Sequence, residues 1–479
     1  MLDKNLAKIK SLIPEKIWRA LWPLYHFGLA MLGNAWYRSP SNKLVVIGVT
    51  GTTGKTTSTY LIAKLLAAAG YKVGYTSTAM FSDGNREWLN DKKMTMPGRF
   101  FTYSILNKMV KNGCQLAIVE TTSQGVMQYR HRFVNYDWLV FTGLYPEHVE
   151  AHGSFAKYRE AKGMLFAHLK ECKTKYVDEH YKVKRVEAGL KKLSLNRVKK
   201  TIIANGDDEH KDYFLNFWAE SKLEYHVVAN ALDVKFKANA DPNYQEFFGT
   251  NFTLAAAATT FALCRAGHCR EDKIQLNFPG EFNIANALNA VGVALSLGVD
   301  YELIKQGLES VSGVPGRLEK IDSGQNFIVI VDYAFEPQAV AKLYETIQLL
   351  PHQRVIHVLG SCGGGRDIAR RAILGKIAGE HSDIVIVTNE DPYDDDPQII
   401  IDQVALGAEK AGRVEEDSLF RIMDRRQAIA QAFALAEVGD VVLITGKGSE
   451  QAICAAKGVK IPWDDRTVAR EELAKLSGK

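Results

Sequence analysis

The run Gly51-Thr52-Thr53-Gly54-Lys55-Thr56-Thr57 sets a lysine and several hydroxyls beside two glycines, a combination suited to holding a triphosphate. In such a loop, backbone N–H groups and the N-terminus of the next helix cradle phosphate oxygens. The Lys55 ammonium would neutralise the β and γ oxygens, and the Thr56 hydroxyl would bind Mg²⁺. The common phosphate-loop spacing puts glycine at position 49; here that residue is Val49, with Gly48 and Gly51 to either side. Glu120 closes an apolar run, where a carboxylate reaches a metal-bound phosphate from the C-terminal edge of a sheet. Many buried strands end in an acid on reaching solvent, so Glu120 alone decides nothing. His148 and His152 are spaced i, i+4, but Val149-Glu150-Ala151 between them lacks the H-E-x-x-H order of a zinc protease.

These groups need elements to hold them. Residues 44–49 read as a buried strand, followed by the loop and by a helix over about 56–69 that Gly70 stops. Apolar runs at 116–119 and 138–142 alternate with helical stretches, as a parallel sheet with crossover helices requires. A second alternating series begins near Gly313, with strands expected at 327–331, 355–359, 384–387 and 441–445. The charged stretch 178–200 reads as solvated helix or loop, and 238–248 as a turn-rich connection. The expected class is α/β. A central phosphate-loop, parallel-sheet ATPase domain spans 43–312, a C-terminal Rossmann-like domain 313–479, and a short helical segment 1–42.

With 479 residues, 46% of them hydrophobic and 24% charged, the chain exceeds what one core can hold. A net charge of +5 spread over 60 basic and 55 acidic residues advertises no nucleic-acid partner. Six cysteines without a C-x-x-C pair argue against a zinc site and a disulfide scaffold, and read as buried thiols in a reducing cytoplasm. No signal peptide is recognised at the start. Trp18, Trp22, Tyr25, Leu29, Leu32 and Trp36 share one face of a helix that Pro23 should kink. Polar and glycine interruptions keep it short of the ~20 apolar residues of a membrane span. Packing on the next domain is favoured over a peripheral contact with a membrane.

Extended to Gly48-Val49-Thr50-Gly51-Thr52-Thr53-Gly54-Lys55-Thr56, the loop resembles that of the Mur ligases, and further motifs follow in that family's order. Glu120-Thr121-Thr122-Ser123-Gln124-Gly125 is similar to its metal-binding segment, with Gln124 where histidine is usual. Phe141 to Gly153, Tyr158 to Lys162, Gly280 to Asn286, Gly313 to Glu319 and Asp332-Tyr333-Ala334 resemble later blocks, with Phe335 where the family has histidine. The resemblance implies an ATP-dependent ligase of peptidoglycan precursor synthesis, joining an amino acid to a muramyl-dipeptide carboxylate through an acyl-phosphate. It implies ATP contacts from Gly51, Thr52, Thr53, Gly54, Lys55, Thr56, Thr57, Asn283, Asn286, Arg317 and Asp332. It also implies two Mg²⁺ ions near Thr56, Glu120, His148 and a Lys162 carbamylated by CO₂. Without the match, Lys162 would read as a surface lysine. Lys55, Lys162 and Arg317 form the implied catalytic set.

For the acyl substrate the resemblance implies Thr95, Thr122, Ser123, Gln128 and Arg130, with Met96 replacing a usual threonine; Arg130 reads about as well as a salt-bridge residue. For the amino acid it implies Arg366, Asp391, Tyr393, Gly446 and Glu450. Tyr393 stands where a diaminopimelate enzyme carries arginine, and losing that bidentate clamp makes lysine or another diamino acid the expected acceptor. Glu450 suits its distal ammonium. Only 47 residues precede Gly48, so the family's uridine-binding domain is expected to be absent or a helical stub, which opens a lipid-linked substrate as an alternative. A folate-type ligase is a second alternative, against which the motifs at Asp391 and Glu450 argue. A phosphate-loop NTPase with a regulatory or mechanical role and a silent binding protein complete the set.

Overall fold

The computed structural model describes residues 15–147, 152–184, 195–236, 241–365 and 368–476. Residues 44–49 are apolar throughout because the strand Val45–Thr50 is covered on both faces. Val45, Ile47 and Val49 meet Leu61 and Leu65 of the helix Lys55–Ala68, while Leu44 and Val46 meet Tyr103 and Leu106 of the helix Arg99–Lys111. This strand lies inside a 12-stranded sheet of the described residues. Its parallel centre runs in the order Val73–Thr76, Leu116–Glu120, Val45–Thr50, Trp138–Phe141, Thr201–Asn205, Ser221–Val228 and Tyr244–Leu254. Antiparallel strands close both edges.

The second sheet has six strands, ordered Glu319–Ile321, Ile328–Val331, Val441–Ile444, Val355–Leu359, Ile384–Thr388 and Leu419–Ile422. All pairs but the first are parallel. One face packs on the helices Pro337–Ile347, Ala369–His381 and Pro397–Lys410, the other on Arg425–Leu435 and Asp465–Leu476.

Four expectations need correction. Tyr244–Leu254 is an eleven-residue strand rather than a turn-rich connection, because its half-polar sequence pairs with strands on both sides. Part of the charged 178–200 stretch forms a small sheet, with Val183–Lys184 and Asn196–Val198 flanking Lys175–Val177. Cys264 and Cys269 are joined in a disulfide, because the hairpin register sets them opposite one another; Cys114, Cys172, Cys362 and Cys454 stand outside any disulfide. The helix Glu15–Trp36 runs through Pro23, and its buried positions are His26, Ala30 and Gly33, with Phe27 packing on Tyr129 and Phe133. Leu32 and Trp36 of the expected face are 56% and 77% exposed instead. Among the described residues, no helix is long and apolar enough to cross a membrane.

At the far end of the parallel centre, His226 Nδ1 lies 2.8 Å from Asp207 Oδ1, and its Nε2 lies 3.1 Å from Glu224 Oε1. Burial alone would lower its pKa, but the two carboxylates lift it to about 9. The raised value means His226 stabilises the fold fully below the unfolded histidine range near pH 6.5 and loses that contribution as pH rises through about 9. His226→Gln should therefore lower the Tm at about pH 6 and have a much smaller effect at about pH 10, as read by thermal melts across pH.

Candidate active site

The phosphate loop leaves the strand at Thr50 and enters the helix at Lys55. It is pinned from outside: Thr52 N donates to Gly143 O at 2.8 Å and Thr142 Oγ1 to Thr53 O at 2.6 Å. Gly54 has φ 78°, and a Cβ there would stand 2.4 Å from Asn286 Oδ1. Glycine is therefore required on two counts, conformation and space. Gly54→Ala should cost about 1–3 kcal/mol in backbone strain and weaken nucleotide binding, measurable by melting and calorimetric titration. Asn286 belongs to the helix Phe282–Ser296, bound to the loop helix through Ser58, which donates to Asn286 Oδ1 at 3.3 Å and accepts from Asn289 Nδ2 at 3.0 Å. Asn283 Oδ1 in turn accepts from Asn286 Nδ2 at 3.0 Å.

Glu120, fully buried at the end of its strand, faces this loop. Its carboxylate accepts from Thr56 Oγ1 at 3.0 and 3.2 Å, from Thr78 N at 2.8 Å and from Thr78 Oγ1 at 2.9 Å. A hydroxyl and a carboxylate are hard oxygen donors, the set that fits Mg²⁺. Lys162 comes from the helix Phe155–Leu169 and is 2% exposed; its Nζ donates to Gly51 O at 2.7 Å and lies 4.6 Å from the Tyr158 ring centroid. Burial, with the Lys55 ammonium nearby, holds Lys162 well below the ordinary lysine range, while Glu147 and Glu120 pull the other way. Burial likewise pushes the Glu147 carboxyl up against the opposing pull of Lys55, Lys162 and Arg370. Lys55 itself donates to Thr52 O at 2.6 Å. His148 lies outside the described residues.

The second sheet covers this loop. Arg317 Nη2 reaches Thr56 Oγ1 at 3.4 Å, and its guanidinium lies 4.3 Å from the Tyr333 ring centroid. Asp332, at the end of the strand Ile328–Val331, accepts from Leu318 N at 2.7 Å and Ala334 N at 2.6 Å. Burial raises its pKa, opposed by Arg317 and those two N–H groups. The space between the sheets is a cleft of about 950 Å³.

Thr95, Thr122, Ser123, Gln128 and Arg130 line the same cleft. Thr95 Oγ1 bonds Thr78 Oγ1 at 2.8 Å, Ser123 Oγ meets His152 Nε2 at 3.1 Å, and Thr122 caps the short helix Ser123–Met127 by accepting from Gly125 N. Arg130 donates to Gln128 Oε1 at 2.5 Å and to the Met96 carbonyl. Asp391, Tyr393, Gly446 and Glu450 line its far end, and Arg366 lies outside the described residues. A Cβ on Gly446 would meet Glu390 Oε2 at 2.6 Å.

The structure adds residues that the sequence did not single out. Lys447 is fully buried and donates to Asp391 Oδ1 and Glu450 Oε2, each at 2.8 Å. Glu147 lies inside the block Phe141 to Gly153, and Lys447 directly follows Gly446 and precedes Glu450, so in both cases neighbours drew the attention. Thr78 and Lys93 sit in loops without a motif or a period to mark them.

The chain matches the Mur ligase middle domain over residues 49–193 and the Mur ligase, glutamate ligase domain over 316–448. It is 36% identical to a UDP-N-acetylmuramyl-tripeptide synthetase of Roseiflexus sp. (strain RS-1), across 95% of this chain and 83% of the relative. A solved UDP-N-acetylmuramoyl-L-alanyl-D-glutamate–2,6-diaminopimelate ligase superposes with TM-score 0.55 at 25% identity, over 91% of this chain and 79% of that one. A Mycobacterium tuberculosis folylpolyglutamate synthase superposes with TM-score 0.63 at 16% identity, over 96% of both chains, a likeness of fold alone. A phosphate loop facing a buried carboxylate on one sheet, covered by an arginine from the other, is thus matched by relationship along nearly the whole sequence: the chain belongs to the Mur ligase family, ATP-dependent ligases that form C–N bonds.

Proposed function

We propose that this ligase adds a diamino acid, lysine in the first instance, to the terminal carboxylate of a muramyl dipeptide in cytoplasmic peptidoglycan precursor synthesis. The observation that carries the acceptor class is the pair Asp391 and Glu450, which together hold the Lys93 ammonium at 2.7 and 2.5 Å in the same cleft as the phosphate loop. Tyr393 offers no guanidinium for a second acceptor carboxylate, which favours lysine over diaminopimelate.

The γ-phosphoryl group passes from ATP to a carboxylate oxygen of the acyl substrate, and ADP forms. The neutral amine of the acceptor then attacks the acyl carbon, phosphate leaves from the tetrahedral intermediate, and the nitrogen gives up a proton as the amide forms. No side-chain nucleophile takes part. Lys55 and Arg317 neutralise charge on the transferring group, and Gly51 to Thr57 orient it with their N–H groups. Asn283, Asn286 and Asp332 hold the nucleoside portion. Thr95, Thr122, Ser123, Gln128 and Arg130 hold the acyl substrate, and Asp391, Tyr393, Gly446, Glu450 and Arg366 the acceptor. Mg²⁺ held by Thr56, Glu120, His148 and Lys162 would screen the repulsion between γ-phosphate and substrate carboxylate. The depressed basicity of Lys162 supports its carbamylation, since only a neutral amine adds to CO₂. Residues 43–312 and 313–479 are the two working units, and 1–42 an appendage.

A screen of amino acids for phosphate release tests this reading, with UDP-linked and lipid-linked muramyl dipeptides run in parallel. Phosphate should appear only with acyl substrate and amino acid together, and fastest with lysine. Hydrolysis of ATP that ignores the amino acid would return the chain to the NTPase alternative. A peripheral membrane contact is supported by the exposed Leu21, Leu24, Met31, Leu32 and Trp36 of the helix Glu15–Trp36. Vesicle co-sedimentation unchanged by deletion of residues 1–40 would remove that contact.

A further inference from the structure

The ammonium held by Asp391 and Glu450 belongs to the chain itself. It is Nζ of Lys93, in the loop between the strand Glu87–Leu89 and the helix Arg99–Lys111, and it also donates to Ala452 O at 2.9 Å. Three features set this lysine apart from an ordinary surface ion pair. Its side chain is 4% exposed although it reaches across to the other sheet's loops. Its backbone has φ 55°, a left-handed conformation that a residue with a Cβ adopts at a cost. Finally, the two carboxylates already share a fixed cation, since Lys447 bonds both from within their own sheet. Lys93 is thus the second, externally supplied charge. Withdrawing it leaves the buried Asp391 and the part-buried Glu450 with one ammonium between them, a charge that another cation balances.

Resting on the acceptor reading above, we propose that the Lys93 ammonium stands in for the side-chain ammonium of the acceptor amino acid, which must displace it to bind. The exchange restricts the acceptor to amino acids with a cationic side chain, because a neutral side chain cannot replace the charge that leaves. Displacement also moves a loop tied to the phosphate end of the cleft. Two residues on, Thr95 bonds Thr78, and Thr78 holds Glu120 through both its N–H and its hydroxyl.

The test is a titration of L-lysine and of its neutral analogue norleucine against full-length wild type, Lys93→Met, Lys93→Ala and Lys93→Arg, at saturating ATP and acyl substrate. Removing an internal competitor raises apparent affinity by the reciprocal of the fraction of time the site stood free, about ten-fold for a site free about a tenth of the time. The KM for lysine should fall about ten-fold in the methionine and alanine variants, with norleucine still a poor substrate. It should rise in the arginine variant, whose forked guanidinium grips paired carboxylates more firmly and which keeps the cation needed for folding. A lysine KM that is unchanged or higher in folded Lys93→Met and Lys93→Ala, or unchanged in Lys93→Arg, overturns the proposal while wild-type activity leaves the ligase reading standing. Wild type that needs no amino acid to release phosphate defeats the acceptor reading itself.

Discussion

Lys162→Ala is expected to lower kcat/KM by about 10³-fold, a rise in the barrier of about 4 kcal/mol. The side chain is buried beside the phosphate loop, pinned to the Gly51 carbonyl, and surrounded by Lys55, Glu147 and Glu120. The Lys55 ammonium repels a second cation so close to it, and burial penalises charge further, so both lower the Lys162 pKa and favour loss of its proton. Carbamylation joins the Nζ nitrogen to the carbon of CO₂ with loss of one proton, and would turn this amine into an anion facing Thr56 and Glu120. Phosphate release by the variant, followed across a range of substrate concentrations, measures the loss. Bicarbonate dependence separates the proposed carbamate from simple packing: degassed wild type should regain activity with added bicarbonate, whereas the alanine variant should not respond. Activity within ten-fold of wild type would remove Lys162 from the catalytic set.

Asp137→Ala should destabilise the fold by about 4 kcal/mol or more, a large share of the roughly 5–15 kcal/mol that holds a typical domain together. Asp137 is fully buried where the central strands begin. Its carboxylate takes Lys175 Nζ at 2.5 Å, Lys200 Nζ at 2.8 Å and Val46 N at 2.8 Å. The two lysines also bond the carbonyls of Leu44, Asn135 and Tyr136, which ties the starts of neighbouring strands together. Burial lowers the pKa of Lys175 to about 8 even with the carboxylate opposing it, so the carboxylate is what keeps an ammonium there. Its removal leaves two buried cations facing one another. Urea unfolding should show the loss, and replacing Asp137, Lys175 and Lys200 together by apolar residues should recover much of it. A single alanine variant that melts within a few tenths of a kcal/mol of wild type would contradict this account.

The parallel strands were legible because burial on both faces writes an unbroken apolar run, as at Val45–Thr50 and Val441–Ile444. Tyr244–Leu254 was not, because Gln245, Glu246, Gly249 and Asn251 break both the run and the alternation, and its partners lie elsewhere in sequence. The Cys264–Cys269 pairing depends on a turn at Ala266 and Gly267, both with positive φ, that spacing alone does not disclose. In the N-terminal helix the aromatic stripe caught the eye, yet the buried positions are His26, Ala30 and Gly33, and Phe27 packs on Tyr129 and Phe133. The candidate site divides in the same way. Thr56, Glu120 and Asp332 stand at strand or helix ends, where the elements themselves point to them. Thr78 and Lys93 act through loop geometry, and only the folded chain brings them within hydrogen-bond distance of Glu120 and Asp391.

The central claim is that a triphosphate on the phosphate loop meets metal held by Glu120 and a modified Lys162. A crystal grown with a non-hydrolysable ATP analogue, Mg²⁺ and bicarbonate examines it directly. The account predicts phosphate oxygens on the N–H groups of residues 51–57, Arg317 at the γ-phosphate, and density for a carbamate on Lys162 turned toward Mg²⁺ beside Thr56 and Glu120. A nucleotide bound with Glu120 and an unmodified Lys162 both directed away from the γ-phosphate would contradict it.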